Sequence, residues 1–230
     1  MTRMKCIARL SGIMTMVVAM TVSLAYAADE TEKGQKIVDD MTQVFDNMTA
    51  DPDMGWFRSN LKRAQGVLIM RQYRAGFIVG ASGGRGVMLA RDKHTGKWSQ
   101  PAFYGQGTGS FGFQIGADTS EIALLIMTEK GRDALLTTDV KLGGDISVAA
   151  GPVGAGAKAA TTDVLSFART KGIYGGVALE GMIIGPQRKT NKNYYGVDVS
   201  PLDILVKHEV ANPGANKLVS AVSKVASGEK

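Results

Sequence analysis

The first periodic segment of the chain predicts an amphipathic helix. Between residues 29 and 50, apolar side chains recur every three or four positions, and aspartate and glutamate occupy much of the remaining face. This spacing is that of one face of an α-helix. The apolar positions are Ile37, Val38, Met41, Val44, Phe45 and Met48. Asp51-Pro52-Asp53 then interrupts the pattern, and Trp56-Phe57 followed by Leu61 predicts a short second helix.

Between residues 67 and 184 the pattern changes to short β-type runs separated by glycine. The runs 67–70 and 87–89 flank the glycine-rich segment 80–86, which is typical of the turn of a hairpin. Residues 122–127 are apolar on both faces and predict a central strand. The further β-type runs are 77–79, 111–115, 142–148, 164–167, 174–179 and 182–184.

Helical signals return around and after these strands. Good helix formers at 128–136 predict one helix inside the β region. Ser200-Pro201 is typical of a helix start, and the spacing of Leu218, Val222 and Val225 predicts a C-terminal amphipathic helix. The predicted fold class is therefore α+β: a Gly-rich, mainly antiparallel β sandwich or partly closed barrel with flanking N- and C-terminal helices.

The N-terminus has the anatomy of a secretory signal peptide. Three basic residues precede an uncharged run over 10–28 that ends in Ala25-Tyr26-Ala27, which predicts cleavage after Ala27. An uncleaved membrane anchor is the alternative, although serine, threonine and glycine weaken the run. Cys6 lies away from the cleavage site, so a lipoprotein is not expected. We predict residues 1–27 as signal peptide, 28–60 as an N-terminal amphipathic helical segment, and 61–230 as the main domain with its C-terminal helices.

Composition narrows the classes of function. The formal net charge is +6, and it falls to +3 without the basic residues of the signal segment, so a strong nucleic-acid footprint is missing. The single cysteine lies in that segment, so the exported chain is expected to rely on its hydrophobic core rather than on disulfides. With two histidines in the chain and no closely spaced acidic loop, we expect no metal site and no cofactor.

Three glycine motifs resemble enzyme loops. Gly80-Ala81-Ser82-Gly83-Gly84 matches the G-x-S-x-G pattern of serine hydrolases, but a returning strand follows where that motif needs a helix. Only His94 and His208 could serve Ser82 as a base. The segments 105–109 and 151–156 lack the helix or the Gly-Lys-Ser/Thr ending of phosphate-binding loops. A hydrolase built on Ser82 is the least favoured hypothesis.

Basic residues beside aromatic rings form the candidate binding chemistry. Arg188, Lys189 and Lys192 precede Tyr194 and Tyr195 in a loop-like segment, where the cations would hold a phosphate headgroup and the rings would lie at a lipid interface. A solvated loop is the alternative interpretation. A second basic group surrounds the first predicted strand and comprises Lys62, Arg63, Arg71 and Arg74.

Several longer motifs resemble the SYLF domain family. They are PAFYGQGTGSFGFQIGA at 101–117, MTEK at 127–130, KLGGDISVAAGPVG at 141–154, YGGVALEG at 174–181 and NYYG at 193–196. The resemblance implies a domain that binds membrane lipids, notably phosphoinositides in eukaryotic members, some of which also bind actin filaments. It implies no catalytic residues. Bacterial members resemble exported or envelope-associated proteins, for which actin is not an expected partner.

The resulting hypothesis is a non-enzymatic module of the bacterial cell envelope that binds an anionic phospholipid or a similar headgroup. We expect an exported protein, periplasmic or peripherally attached to the envelope. The N-terminal helix departs from the family, because it is acidic where phosphoinositide-binding relatives carry a basic amphipathic helix. The alternative is an envelope scaffold that docks on a protein partner through the apolar stripe of this helix.

Overall fold

The N-terminal helix is an integral part of the folded body. The structure is a computed structural model that describes residues 29–76, 79–111, 116–151, 162–170, 173–175 and 179–228, so the predicted signal peptide lies outside it. Helix α1 covers 29–50, as the periodicity predicts, and five residues of its apolar stripe are at most 1% exposed. They are Val38, Met41, Val44, Phe45 and Met48.

A short turn of helix connects α1 to the sheet. Pro52–Met54 is a 3₁₀-helix whose start is capped by Asp51, and helix α2 (Gly55–Leu61) follows directly. Phe57 of α2 is fully buried, with its ring centroid 6.1 Å from that of Phe45 and 5.2 Å from that of Phe167. These edge-to-face contacts hold α1 and α2 against the sheet.

One sheet contains all the named strands of the described residues. Its strands are β1 (Gly66–Gly76), β2 (Val79–Ala90), β3 (Ala102–Phe111), β4 (Gly116–Ile126), β5 (Val140–Lys141), β6 (Val148–Ala150), β7 (Val164–Thr170), β8 (Ile173–Gly175) and β9 (Ile183–Pro186). Their order is β5-β9-β3-β2-β1-β4-β7-β6, and β8 also pairs with β7. Every pairing is antiparallel except β6 with β7. The predicted α+β class is confirmed, and the single curled sheet corresponds to the partly closed barrel.

Both faces of this sheet are buried at its centre. Side chains alternate along β1, so that Val67 and Ile69 face one hydrophobic cluster and Leu68 and Met70 face the other. The first cluster is completed by α1, α2 and the C-terminal helix, and the second by the helices Glu129–Thr137 and Pro201–Leu205. The central position of β4, paired with β1 and β7, confirms the strand predicted from its doubly apolar sequence.

The remaining helices follow their capping signals. Helix α3 (Glu129–Thr137) begins after Thr128, whose hydroxyl accepts a hydrogen bond from the N–H of Gly131. Helix α4 covers Arg188–Tyr195. Helix α5 (Pro201–Leu205) begins with a capping box between Ser200 and Asp203, and α6 (Asn216–Ser227) follows the 3₁₀-helix Pro213–Ala215. None of the helices in the described part of the chain is long and apolar enough to span a bilayer.

The glycine-rich segment 80–86 is part of strand β2 rather than a hairpin turn. The predicted hairpin exists, but Gly76 pairs with Gly80, so the turn lies between them, where residues 77 and 78 are outside the described residues. A Cβ atom on Gly86 would collide with the carbonyl oxygen of Ile69, and one on Gly84 would lie 2.9 Å from that of Arg71. These glycines permit close approach of neighbouring backbones rather than a left-handed turn.

One other strand prediction needs correction, and another falls mostly outside the described residues. The run 142–148 is broken by a turn, because Gly143 has φ of 78° and Leu142 bridges to Ile146, which separates β5 from β6. In the run 111–115, Phe111 ends β3, and residues 112–115 lie outside the described residues.

Candidate ligand-binding surface around helix α4

The segment that carries the predicted cation cluster is a helix, not a loop. Helix α4 runs from Arg188 to Tyr195 and ends at Gly196, whose φ of 73° is left-handed. Its sequence is almost entirely polar, so it lacks the apolar stripe that identifies longer helices. Its buried face is formed by Asn191 and Tyr194, three residues apart.

The two tyrosines of α4 are anchors in the core. Tyr194 is 3% exposed, its ring centroid lies 5.0 Å from those of Phe103 and Tyr195, and its hydroxyl donates to Oε1 of Gln35 at 3.1 Å. Burial, with the nearby charge of Asp39, raises the pKa of Tyr194 to about 12. The prediction that these rings lie at a lipid interface is therefore wrong.

Tyr195 is held in the same way. Its hydroxyl donates to the carbonyl oxygen of Pro101 at 2.6 Å, and burial raises the pKa of this phenol well above its usual range. Asn191 is fully buried and accepts a hydrogen bond from the N–H of Phe103 at 2.8 Å, while the N–H of Gln187 donates to the Phe103 carbonyl at 2.8 Å. The orientation of α4 on strand β3 is thus fixed by its buried side.

Fixing the buried side leaves the basic side of α4 in solvent. Arg188, Lys189 and Lys192 are all exposed. Lys192 lies 3.5 Å from the carboxylate of Asp198, whereas Arg188 and Lys189 form no ion pair with any residue that the structure describes. These two cations are therefore available to an anionic ligand.

A cleft of about 300 Å³ lies between α1, the sheet and the start of α4. Its polar lining consists of Glu30, Lys33, Arg85, Gln187 and Thr190. Lys33 lies 2.7 Å from Asp29 and 2.9 Å from Glu30, so its charge is compensated. The hydrogen bond from Lys33, with the charges of Lys33 and Lys189, holds the pKa of Glu30 below its usual value.

Arg85 is the cation of the cleft with the weakest partner. Half of its side chain is exposed, and its contact with Asp40 is long, at 3.9 Å. No sequence pattern singles out Arg85, because α1, β2 and α4 meet only in the folded protein. Arg85 is therefore a third accessible cation near the first turn of α4.

Exposed apolar side chains follow α4 in the chain. Val197, Leu202 and Val206 are 50%, 40% and 39% exposed, and the last two lie one helical turn apart. These residues are also absent from the binding cluster predicted from the sequence. The spacing of Leu202 and Val206, on the opposite side from the buried Ile204, is the signal that could identify them.

The second predicted basic group is not one patch. Lys62 and Arg63 are exposed at the end of α2, and the guanidinium of Arg63 donates to Asn60 Oδ1 at 2.6 and 3.0 Å. Arg71 lies further along β1, half-buried and 3.4 Å from Glu121. Arg74 lies later on β1, and its side chain is not among the described ones.

The geometry around Ser82 does not form a hydrolase site. Ser82 lies inside strand β2 and accepts a hydrogen bond from Nε2 of Gln72 at 3.2 Å. His94 lies in an exposed turn beyond the opposite end of β2, and His208 is 3.8 Å from Asp92 of that same turn. At about 3.3 Å per residue the two ends of this strand are over 20 Å apart. The described residues contain no cluster of three candidate metal ligands.

Comparison with known proteins identifies relatives of this fold. The sequence profile of the Ysc84 family, described as "Las17-binding protein actin regulator", matches residues 107–225. Human SH3 domain-containing YSC84-like protein 1 is 30% identical over 182 residues, which is 76% of this chain and 52% of the human protein. Protein YSC84 of Saccharomyces cerevisiae is 31% identical over 167 residues, 69% of this chain and 36% of the yeast protein.

The chain therefore spans about half the length, or less, of the curated relatives it matches. No solved structure matches it significantly. The names of the relatives describe binding and regulation rather than catalysis. Because the profile covers more than half of its residues, the chain belongs to the Ysc84 family, and the SYLF resemblance of its motifs is confirmed.

Proposed function

We propose that this protein is a non-enzymatic lipid-binding module of the cell envelope that binds anionic headgroups at helix α4. The observation that carries the proposal is the fixed exposure of Arg188 and Lys189, two unpaired cations beside a cleft lined by Arg85. Anionic phosphate groups are the natural partners of guanidinium and ammonium groups. The exposed apolar side chains of Leu202 and Val206 would enter the lipid surface.

The expected affinity is modest. Each cation near an anionic surface contributes about 1 kcal/mol, which gives about 3 kcal/mol for Arg85, Arg188 and Lys189 together. Burying the remaining exposed surface of Leu202 and Val206 adds about 1 kcal/mol each. A total of about 5 kcal/mol corresponds to a dissociation constant in the range of hundreds of micromolar. Binding is therefore expected to need a high local lipid concentration and to weaken with salt.

Vesicle co-sedimentation tests this proposal. The purified protein is mixed with phosphatidylcholine vesicles, with and without phosphatidylglycerol, at low and high salt. We expect binding only to the anionic vesicles, and loss of it at high salt. The variant Arg188→Ala/Lys189→Ala should lose most of this binding. Lys217→Ala/Lys224→Ala removes two exposed cations of α6 and is the matched control.

A second variant separates charge from apolar insertion. Leu202→Ser/Val206→Ser leaves every charge in place, so it should weaken binding while the salt dependence stays. The proposal is refuted when the α4 variant and the α6 control bind equally well, or when no anionic vesicle is bound at any salt concentration.

The alternative of an envelope scaffold requires the apolar stripe of α1 to be accessible to a partner. The apolar stripe of α1 is buried in the protein's own core, so it cannot also occupy a groove on a partner. A partner would instead meet the outer, acidic face of α1, where Glu32, Asp39 and Asp46 are exposed. If the protein binds no vesicles, a protein partner becomes the favoured hypothesis. It is consistent with relatives whose names record binding to Las17.

Export remains part of the proposal. It rests on the charged and uncharged pattern of residues 1–27 and on the Ala25-Tyr26-Ala27 site. Mass spectrometry of the protein from an envelope fraction should find Ala28 as the first residue. A full-length mass in the cytosolic fraction would contradict it.

A further inference from the structure

A row of polar side chains crosses the sheet on the face of the second hydrophobic cluster. Gln106 of β3 is opposite Gly84 of β2, which is opposite Gln72 of β1, which in turn is opposite Ser120 of β4. Gln72 lies two residues from Met70, and Gln106 two residues from Tyr104, so these side chains share one face with the buried cluster. We call Gln72, Gly84, Gln106 and Ser120 the polar row.

The three polar side chains of this row are buried. Gln72, Gln106 and Ser120 are 2%, 7% and 1% exposed. Neither Nε2 nor Oε1 of Gln106 has a hydrogen-bond partner among the described residues. Buried polar atoms without partners are costly and therefore rare in folded proteins.

The position of the Gln106 amide is fixed by the glycine beside it. A Cβ atom on Gly84 would lie 3.0 Å from both Cγ and Nε2 of Gln106. The amide therefore extends over Gly84, in the direction of Gln72 on the next strand. Gln72 itself donates from Nε2 to Ser82 Oγ at 3.2 Å. Glycine at position 84 thus keeps a path between the two amides clear of side-chain atoms.

The atoms without partners define the ligand chemistry. Oε1 of Gln106 needs a donor, whereas Nε2 of Gln106 needs an acceptor. A hydroxyl group supplies both, so a molecule with several hydroxyls can pair with both atoms of the Gln106 amide. Gln72 and Gln106 are neutral amides, so the row itself offers no counter-charge to an anion. We propose that the polar row binds the hydroxyl groups of an uncharged sugar or polyol, either free or as the headgroup of a lipid.

This site goes beyond the proposed function. It lies on β1–β4 rather than on α4, and it recognises hydroxyls rather than charge. The two ideas can therefore fail separately: loss of anionic vesicle binding in Arg188→Ala/Lys189→Ala concerns α4 alone, and that variant should keep its sugar binding.

Saturation-transfer NMR on the purified protein tests the site with glucose, mannose and glycerol as free probes. Phosphatidylcholine vesicles with and without a galactosyl diacylglycerol test the lipid source by co-sedimentation. We expect binding to at least one hydroxyl-bearing probe, and at least a tenfold loss of affinity in Gln106→Leu. Gln43→Leu changes an exposed glutamine of α1 and is the matched control.

The outcomes distinguish a free ligand, a lipid headgroup and no ligand. Binding of a free probe that Gln106→Leu abolishes supports a free ligand, and binding to the glycolipid vesicles alone, lost in the same variant, supports a headgroup. Gln106→Met is the second variant should Gln106→Leu not give a cooperative unfolding transition. No binding of any probe, or equal binding by the wild type and both Gln106 variants, overturns the proposal and leaves a site that holds water.

Discussion

Gly34 of α1 lies where this helix crosses α4, and its replacement by alanine sets two effects against each other. A Cβ atom at position 34 would lie 2.8 Å from Cδ2 of Tyr194, and 3.2 and 3.3 Å from Cβ and Cγ of the same side chain. Carbon atoms rarely approach so closely. The tyrosine cannot move away easily, because the rings of Phe103 and Tyr195 lie against it, with centroids 5.0 Å away.

The magnitudes decide the sign of the change. Alanine in place of a helical glycine stabilises by about 0.5–1 kcal/mol. Overpacking a tight contact costs about 1–3 kcal/mol, since the helices must separate by several tenths of an ångström. We therefore expect Gly34→Ala to destabilise the protein by about 1–2 kcal/mol. For a domain of this size, each kcal/mol lowers the melting temperature by about 2–4 °C.

Thermal and urea unfolding of the purified protein measure this effect. Gly107→Ala is the matched control, because a Cβ atom there would have no neighbour within 4 Å. It should leave the melting temperature unchanged or raise it slightly. A higher melting temperature for Gly34→Ala than for wild type would refute the argument, because it would mean that the helix–helix contact yields without cost.

Three further predictions concern the core. Tyr104→Phe should cost about 1–2 kcal/mol in urea unfolding, because the buried hydroxyl donates to the carbonyl of Leu135 at 2.7 Å and this acceptor would lose its partner; an unchanged midpoint would contradict this. Gly86→Ala should prevent pairing of β1 with β2 and give no cooperative transition by circular dichroism, whereas a native-like melt would show the strands can separate. Burial opposes ionisation of Asp163, but its hydrogen bonds and Lys130 outweigh burial and lower its pKa. The free energy of unfolding should therefore decrease as the pH drops below about 4, because the unfolded carboxyl then binds protons more readily than the folded one. In urea titrations, Asp163→Asn should be less stable than wild type at neutral pH, and its stability should decrease less on acidification.

The parts of the fold that the sequence predicts well are those with a repeated apolar pattern. Helices α1 and α6 carry a stripe at helical spacing, and residues 122–127 are apolar on both faces, so burial and local structure agree. Helix α4 fails this test. Its eight residues are mostly polar, and their helical state depends on Asn191 and Tyr194 packing on β3, which is a contact distant in sequence.

The glycines of 80–86 mislead a prediction from local sequence for a related reason. A local pattern of glycine is typical of turns, but here Gly84 and Gly86 are required by backbone atoms of Arg71 and Ile69 on a neighbouring strand. Local sequence cannot distinguish the two causes, because the colliding atoms belong to another segment.

The candidate site shows the same division. The cations Arg188, Lys189 and Lys192 are exposed, as a binding role requires, because charged side chains stay in water whichever element carries them. The fate of the tyrosines beside them depends on which face of α4 meets the sheet. The contribution of Arg85 depends on three segments meeting at one cleft.

The first hydrophobic cluster joins the two ends of the described chain. Helix α1 supplies Val38 through Met48, and α6 supplies Leu218, Val222 and Ala226. During synthesis the apolar stripe of α1 emerges well before its partners on α6, which lie about 170 residues later in the chain. This cluster therefore cannot close until α6 has been made, and α1 needs shielding from aggregation until then.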